Sequence, residues 1–134
     1  MHYDIIIVGA GVGGIFLAYE LMEANIDKTV LMIEKGHGLS RRKCPIDHKS
    51  INECIHCKTC SIMNGFGGAG GLSDGKYNIT NNFGGDLYNY VGYDEALELM
   101  EYSDEINCKM GGSKAKLYST ANTGLKTEAL KYDL

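Results

Sequence analysis

The sequence predicts an α/β domain that opens on a strand–helix–strand unit with parallel strands. Three observations predict it. Ile5, Ile6, Ile7 and Val8 form a run of branched apolar residues, too short for a helix and stopped by Gly9. Gly11 to Ala24 reads as a helix with Ile15, Ala18, Leu21 and Met22 on one face. Thr29 to Glu34 is strand-like again, apolar through Val30, Leu31, Met32 and Ile33. A strand, a helix and a strand in so short a span are joined by a right-handed crossover, and the two strands lie parallel.

Residues 1–36 form this βαβ unit, and the character of the chain changes after it. Residues 37–64 show no sustained period and hold four of the five cysteines, with His37, His48 and His56. Residues 65–134 begin with a glycine-rich loop, Gly65 to Gly75. Lys76 to Thr80 reads as a short strand and Asn81 to Gly85 as a turn. A second helix is expected from Asp94 to Met110, capped by Asp94 or its neighbour and stopped at Gly111-Gly112. Its acids Asp94, Glu95, Glu98, Glu101, Asp104 and Glu105 read as a solvated face, and Cys108 as a core residue. The last stretch of the chain is polar, with no closing apolar element. Two strands cannot bury both faces of a sheet. Either other chains complete the sheet or this is the N-terminal part of a longer protein, and truncation is the working expectation.

Composition narrows the function classes. A chain of 134 residues allows one domain or a large part of one. With 13 basic and 17 acidic side chains the net charge is -4, which offers no general attraction to nucleic acid or to anionic membranes. No apolar run approaches the roughly 20 residues that span a bilayer. Met1 to Asp4 carries no basic leader, so a cytoplasmic location is expected. Eighteen glycines stand against one proline, which signals backbone packed closely against something, or many turns.

Gly9-Ala10-Gly11-Val12-Gly13-Gly14 satisfies the pattern G-x-G-x-x-G at Gly9, Gly11 and Gly14. The motif leaves a strand and opens a helix, and Glu34 lies 20 residues beyond Gly14 at the end of the next strand. Gly9 permits the tight turn, Gly11 lets backbone approach a pyrophosphate, and Gly14 lets the helix sit against the strand. The helix N-terminus offers unpaired N–H groups and partial positive charge to phosphates. A carboxylate at Glu34 suits an unphosphorylated adenosine ribose, hence FAD or NAD rather than NADP, in a Rossmann-like site.

Glu34-Lys35-Gly36 followed by Arg41-Arg42 resembles the start of the flavoprotein superfamily that includes glutathione reductase and fumarate reductase. There the second strand ends in an acid on the adenosine ribose and a basic residue follows. By that resemblance Arg41 or Arg42 takes the basic role, with Arg42 as the candidate; a solvated basic loop is the alternative. Further along, Cys44-Pro45, Cys54-x-x-Cys57-x-x-Cys60 and Gly67-Gly68-Ala69-Gly70-x-x-Ser73-Asp74-Gly75-Lys76 are similar to an uncharacterised family of bacterial FAD-dependent dehydrogenases. The similarity runs from Asp4 to about Gly85 and more loosely beyond. It implies a flavin-dependent oxidoreductase whose FAD domain is assembled from separated segments, with later sequence supplying closing strands and substrate residues. It also implies that Gly67, Gly68, Ala69 and Gly70 pass near the pyrophosphate or isoalloxazine of FAD, and consecutive glycines suit backbone N–H groups converging on an anion. Substrate, electron donor and catalytic residues are not legible, and the fragment alone is expected to be inactive. A simple NAD-binding dehydrogenase domain is an alternative reading, and so is a non-catalytic metal or redox-sensing module.

Cys54, Cys57 and Cys60 have the spacing of the first three ligands of a bacterial ferredoxin cluster. The fourth position of that run is Asn64, and Cys44 is a candidate fourth ligand from a distance. An iron–sulfur cluster or zinc is one reading, zinc also drawing on His56 or His48. Redox-active thiols near a flavin and plain buried cysteines are the others.

Overall fold

The computed structural model describes residues 2–112 and 124–132. The chain forms two compact units, Met1–Lys76 and Tyr77–Leu134. In the first, β1 (Ile5–Val8), α1 (Val12–Glu23) and β2 (Val30–Ile33) form the expected unit, and β1 and β2 pair in parallel in a two-stranded sheet. The fold is Rossmann-like. The register runs Ile5 to Val30 through Val8 to Ile33. It is set at the strand starts, where Asp4 Oδ2 accepts from the Thr29 N–H and hydroxyl, both at 2.8 Å, and Thr29 O accepts from the Asp4 and Ile5 N–H groups. The Thr29 amide and hydroxyl hold the Asp4 carboxyl below the usual carboxylate range. Gly9 N–H extends the ladder to Ile33 O at 2.7 Å.

α1 ends where Asn25 takes a left-handed conformation, φ 48°, a backbone region that asparagine tolerates. The Asn25 N–H donates to Met22 O and its side-chain amide to Glu23 O. Ile15, Ala18 and Leu21 are half-buried as the helical face requires, but Met22 is exposed. The helix lies close on β1 because residue 14 has no side chain: a Cβ there would stand 2.0 Å from Gly9 O and 3.2 Å from an Ile7 methyl. Ile7 and Ala10 are the buried apolar residues described in this unit, whereas Ile6 and Val8 of β1 are exposed at 56% and 84%. Beyond β2 the chain forms single 3₁₀ turns at Leu39–Arg41 and Ala69–Leu72.

The second unit holds α2 (Tyr88–Val91), α3 (Tyr93–Asn107) and α4 (Leu125–Leu130). α3 is the expected acidic helix with shifted limits. It starts after Gly92, φ 97°, with no side-chain cap, so Asp94 lies in the first turn, where its charge suits the helix dipole. It runs on into a wider turn, Cys108–Gly112, broken by Gly111 at φ 128°. Ala96 and Ile106 are its buried residues, and Cys108 is half-buried near Asp104. Lys76 to Thr80 has no ladder partner and is not a strand. α2 and α4 arise where no helix was expected, and the polar segment 113–123 lies outside the described residues. No helix among the described residues is long and apolar enough to cross a membrane.

Replacing Gly14 with Ala forces α1 off β1 and is expected to cost ~1–3 kcal/mol, as overpacking does. Gly38 has an ordinary φ of -63° and open space around it. Gly38→Ala should therefore stay within about 0.5 kcal/mol of the parent. Denaturant midpoints of the two variants check this.

Candidate functional site

The site is built around the turn from β1 into α1. Gly9 turns the chain at φ 100°, and Gly11 is the extended residue that opens α1, with no side-chain cap. The first intrahelical bond runs from Ile15 N–H to Gly11 O, so helix geometry leaves the N–H groups of Val12, Gly13 and Gly14 without intrahelical acceptors. Nothing lies within 4 Å of a Cβ built on Gly11 or Gly13, so space is open on that side of the helix N-terminus, while Gly68 backs onto Gly11 Cα on another. A dinucleotide pyrophosphate fits that cradle on both counts, donors and space.

Glu34 sits just past β2 and is half-buried. Its Oε2 accepts from Ala10 N–H at 2.8 Å, and its Oε1 accepts from Gly36 N–H at 2.8 Å and Gly65 N–H at 3.0 Å. The Ala10 and Gly36 amides, followed by that of Gly65 and the neighbouring charge of Lys35, hold its carboxyl below the usual range against the opposing effect of burial. A carboxylate has about four acceptor sites. Three are used by backbone, which leaves Oε2 a lone pair for a further donor such as a ribose hydroxyl. Lys35 itself is exposed.

The glycine loop is brought to this turn. Gly67 N–H donates to Ala10 O at 2.8 Å, and a Cβ on Gly68 would meet Gly11 Cα at 3.1 Å. Gly65, at φ 120°, passes so close to residue 37 that a Cβ would stand 2.5 Å from His37 O. Three of the loop's amides already have acceptors within the protein. The N–H of Gly68 goes to Gly65 O and that of Gly71 to Gly67 O, so with Gly67 these donors are spent inside the scaffold. Close packing is what the glycines provide; Ala69 and Gly70 are exposed on the 3₁₀ turn. Ser73-Asp74-Gly75-Lys76 forms a local exposed turn, with Lys76 Nζ 2.9 Å from Asp74 Oδ2.

Arg42 departs from its expected place. The sequence offers it as a basic side chain for the cofactor, but it is 5% exposed and its guanidinium donates to three carbonyls. Nε reaches Ser61 O at 2.8 Å, Nη1 reaches Phe66 O at 2.9 Å and Nη2 reaches Ile62 O at 2.6 Å. A rigid fork of donors suits this task, and the side chain acts as a clamp behind the glycine loop rather than as a group presented from the surface. Arg41 is exposed.

The sequence leaves the cysteines as metal or cluster ligands, redox thiols or buried residues, and four of them line one cavity of about 230 Å³: Cys44, Cys54, Cys57 and Cys60. All are free thiols, Cys60 half-buried and the others exposed. No three His, Cys, Asp or Glu side chains among the described residues converge closely enough to clasp a single ion. The Met63 and Ile62 backbone amides, with Arg42's charge adding, pull the Cys60 thiol below its ordinary value despite burial. Asn64 turns away to Cys60 O. Asp47, which the sequence reading passed over, shapes the loop: its Oδ1 accepts from the Lys49, Ser50 and Ile51 amides at 2.8–2.9 Å. Ile51 gives the largest of the effects that bring its carboxyl down to about 2. An aspartate followed by polar residues is the usual signal for such a turn. His37, His48 and His56 are exposed, as expected.

Residues 7–60 match a family model described as an NAD(P)-binding Rossmann-like domain. No curated protein and no solved structure matches the chain.

Because its folded pKa is depressed, Glu34 contributes stability that is present above the unfolded value, about 4.3, and is lost as pH falls through the folded one. Glu34→Gln removes that contribution at every pH. The variant should be less stable than the parent at pH 7, and the difference should shrink as pH falls below about 4.3, as denaturant midpoints across the range will read. Arg42→Lys keeps the charge but not the fork. A net loss of roughly 1.5–3 kcal/mol is expected, since charged hydrogen bonds to buried carbonyls disappear.

Proposed function

We propose that the chain is the FAD-binding segment of a flavin-dependent oxidoreductase. The observation that carries the reading is the joint placement of an open helix N-terminus at Gly11 and the Glu34 carboxylate one strand away, the donors and acceptor that an adenosine dinucleotide needs. In this reading the N–H groups of Val12, Gly13 and Gly14 receive the pyrophosphate, and Glu34 Oε2 accepts from the adenosine ribose. FAD, when bound, supplies hydride and electron transfer; the protein holds it in place and sets its electrostatics. Glu34 is an anion and disfavours a ribose 2′-phosphate, which speaks against NADP. Cys44-Pro45 and the block Gly67 to Lys76, which resemble FAD-dependent dehydrogenases, favour flavin. The substrate residues and closing strands belong, on this proposal, to further polypeptide. A second reading, NAD, is favoured by the nicotinamide dinucleotide named in the description of the matching family model.

Gly11 offers a separation of stability from function. A Cβ there meets nothing within 4 Å, and Asp is a better helix N-cap than Gly by a few tenths of a kcal/mol. Gly11→Asp should therefore fold at least as well as the parent yet place a carboxylate in the path of the pyrophosphate. Equilibrium titration with FAD and with NADH is expected to show FAD binding tighter to the parent, and FAD affinity at least ~10-fold weaker in the variant, about 1.4 kcal/mol. Tighter NADH binding would reassign the cofactor, and unchanged affinity for both would place any dinucleotide elsewhere.

A further inference from the structure

We propose that Cys44, Cys54, Cys57 and Cys60 bind an iron–sulfur cluster in the cavity they share. The convergence is a property of the fold. Nine residues separate Cys44 from Cys54, yet both line the same space as Cys57 and Cys60. Two devices bring them there. The Asp47 carboxylate gathers three consecutive amides and turns the chain back between Cys44 and Cys54, a turn closed by Asp47 N–H to Ile51 O at 3.1 Å. At the other end, Arg42 anchors the carbonyls of Ser61 and Ile62, the two residues after Cys60. His56 adopts φ 51°, which folds the segment between Cys54 and Cys57 back on itself and lets its N–H donate to Cys54 Sγ at 3.4 Å. Amide–sulfur hydrogen bonds of this kind stabilise thiolate ligands and tune cluster potentials.

Size decides between a cluster and a bare ion. Zinc binds thiolates at about 2.3 Å and draws its ligands onto a point. Here the four thiols line one cavity of about 230 Å³, room for more than a single ion. A body of several irons and sulfides suits such a space. The thiol set matches as well: C-x-x-C-x-x-C supplies three ligands at the ferredoxin spacing, and Cys44 takes the place that Asn64 leaves vacant in that run. Pro45, Ile46 and Ile55, with His56 and Ser61, line the rest of the cavity, which is open to solvent at Cys44, Cys54 and Cys57. This inference is carried by the cysteine loop alone and does not rest on the flavin reading.

The test is iron, zinc and acid-labile sulfide analysis of the 134-residue chain purified without oxygen, with low-temperature electron paramagnetic resonance after dithionite reduction. Roughly four irons and four sulfides per chain, with a reduced-cluster signal, are expected for four cysteine ligands. Cys57→Ser should lose most of the iron and sulfide, whereas Cys108→Ser, outside the cavity, should keep both. Far-ultraviolet circular dichroism of each variant establishes that the helices remain, and Cys44→Ser provides a second variant that leaves the C-x-x-C-x-x-C run intact. Stoichiometric zinc without sulfide, no metal at all, or iron that survives loss of both Cys44 and Cys57 overturns the proposal. FAD titration of the same samples reads the dinucleotide site separately, so the two proposals fail independently.

Discussion

The Glu34 carboxylate holds together the parts that make the first unit a site. It stands at the end of β2 and accepts from amides on three different turns: Ala10 in the turn from β1 into α1, Gly36 after the strand, and Gly65 at the entrance to the glycine loop. Hydrogen bonds to an ionised acceptor are stronger than neutral ones, and here one side chain supplies several at once. The glycines make this geometry reachable. A Cβ on Gly36 would lie 2.5 Å from Gly65 N, so the two turns meet around the carboxylate only because both lack side chains. The acid that reads from sequence as a ribose ligand is first a structural centre, and its placement relative to Gly11 follows from that.

Apolar burial contributes little in this unit. Ile7 and Ala10 are its buried apolar residues among those described, and the faces of β1 are largely exposed. Order comes instead from ionic side chains answering backbone groups: Asp4 on Thr29, Glu34 on three amides, Asp47 on three amides and Arg42 on three carbonyls. Such contacts specify geometry, because each acceptor or donor has a direction, whereas hydrophobic contact has none. That is how residues 37–76, which have little regular structure, still hold a defined course.

The same logic links the cysteine loop to the turn from β1 into α1. Arg42 binds carbonyls on both sides of Gly65, at Ser61 and Ile62 before it and Phe66 after it, while Gly67 binds Ala10. The two candidate sites belong to one scaffold, and the buried guanidinium is the joint between them.

Much of this was legible in the amino-acid order. The branched run Ile5–Val8, the glycines at 9, 11 and 14 and the acid at 34 predicted the βαβ unit and its turn, because strand propensity, helix period and steric need of glycine act over a few residues. The acidic helix was visible for the same reason, although its start moved to Tyr93 when Gly92 set the boundary. The sequence also marked four cysteines and Arg42 as candidates. Only the tertiary structure decided that the cysteines from 44 to 60 line one cavity, that Arg42 is a buried clamp, and that Gly67, Gly68 and Gly71 spend their amides on the scaffold. Those outcomes depend on which distant donor meets which acceptor, and a linear pattern carries no record of that pairing.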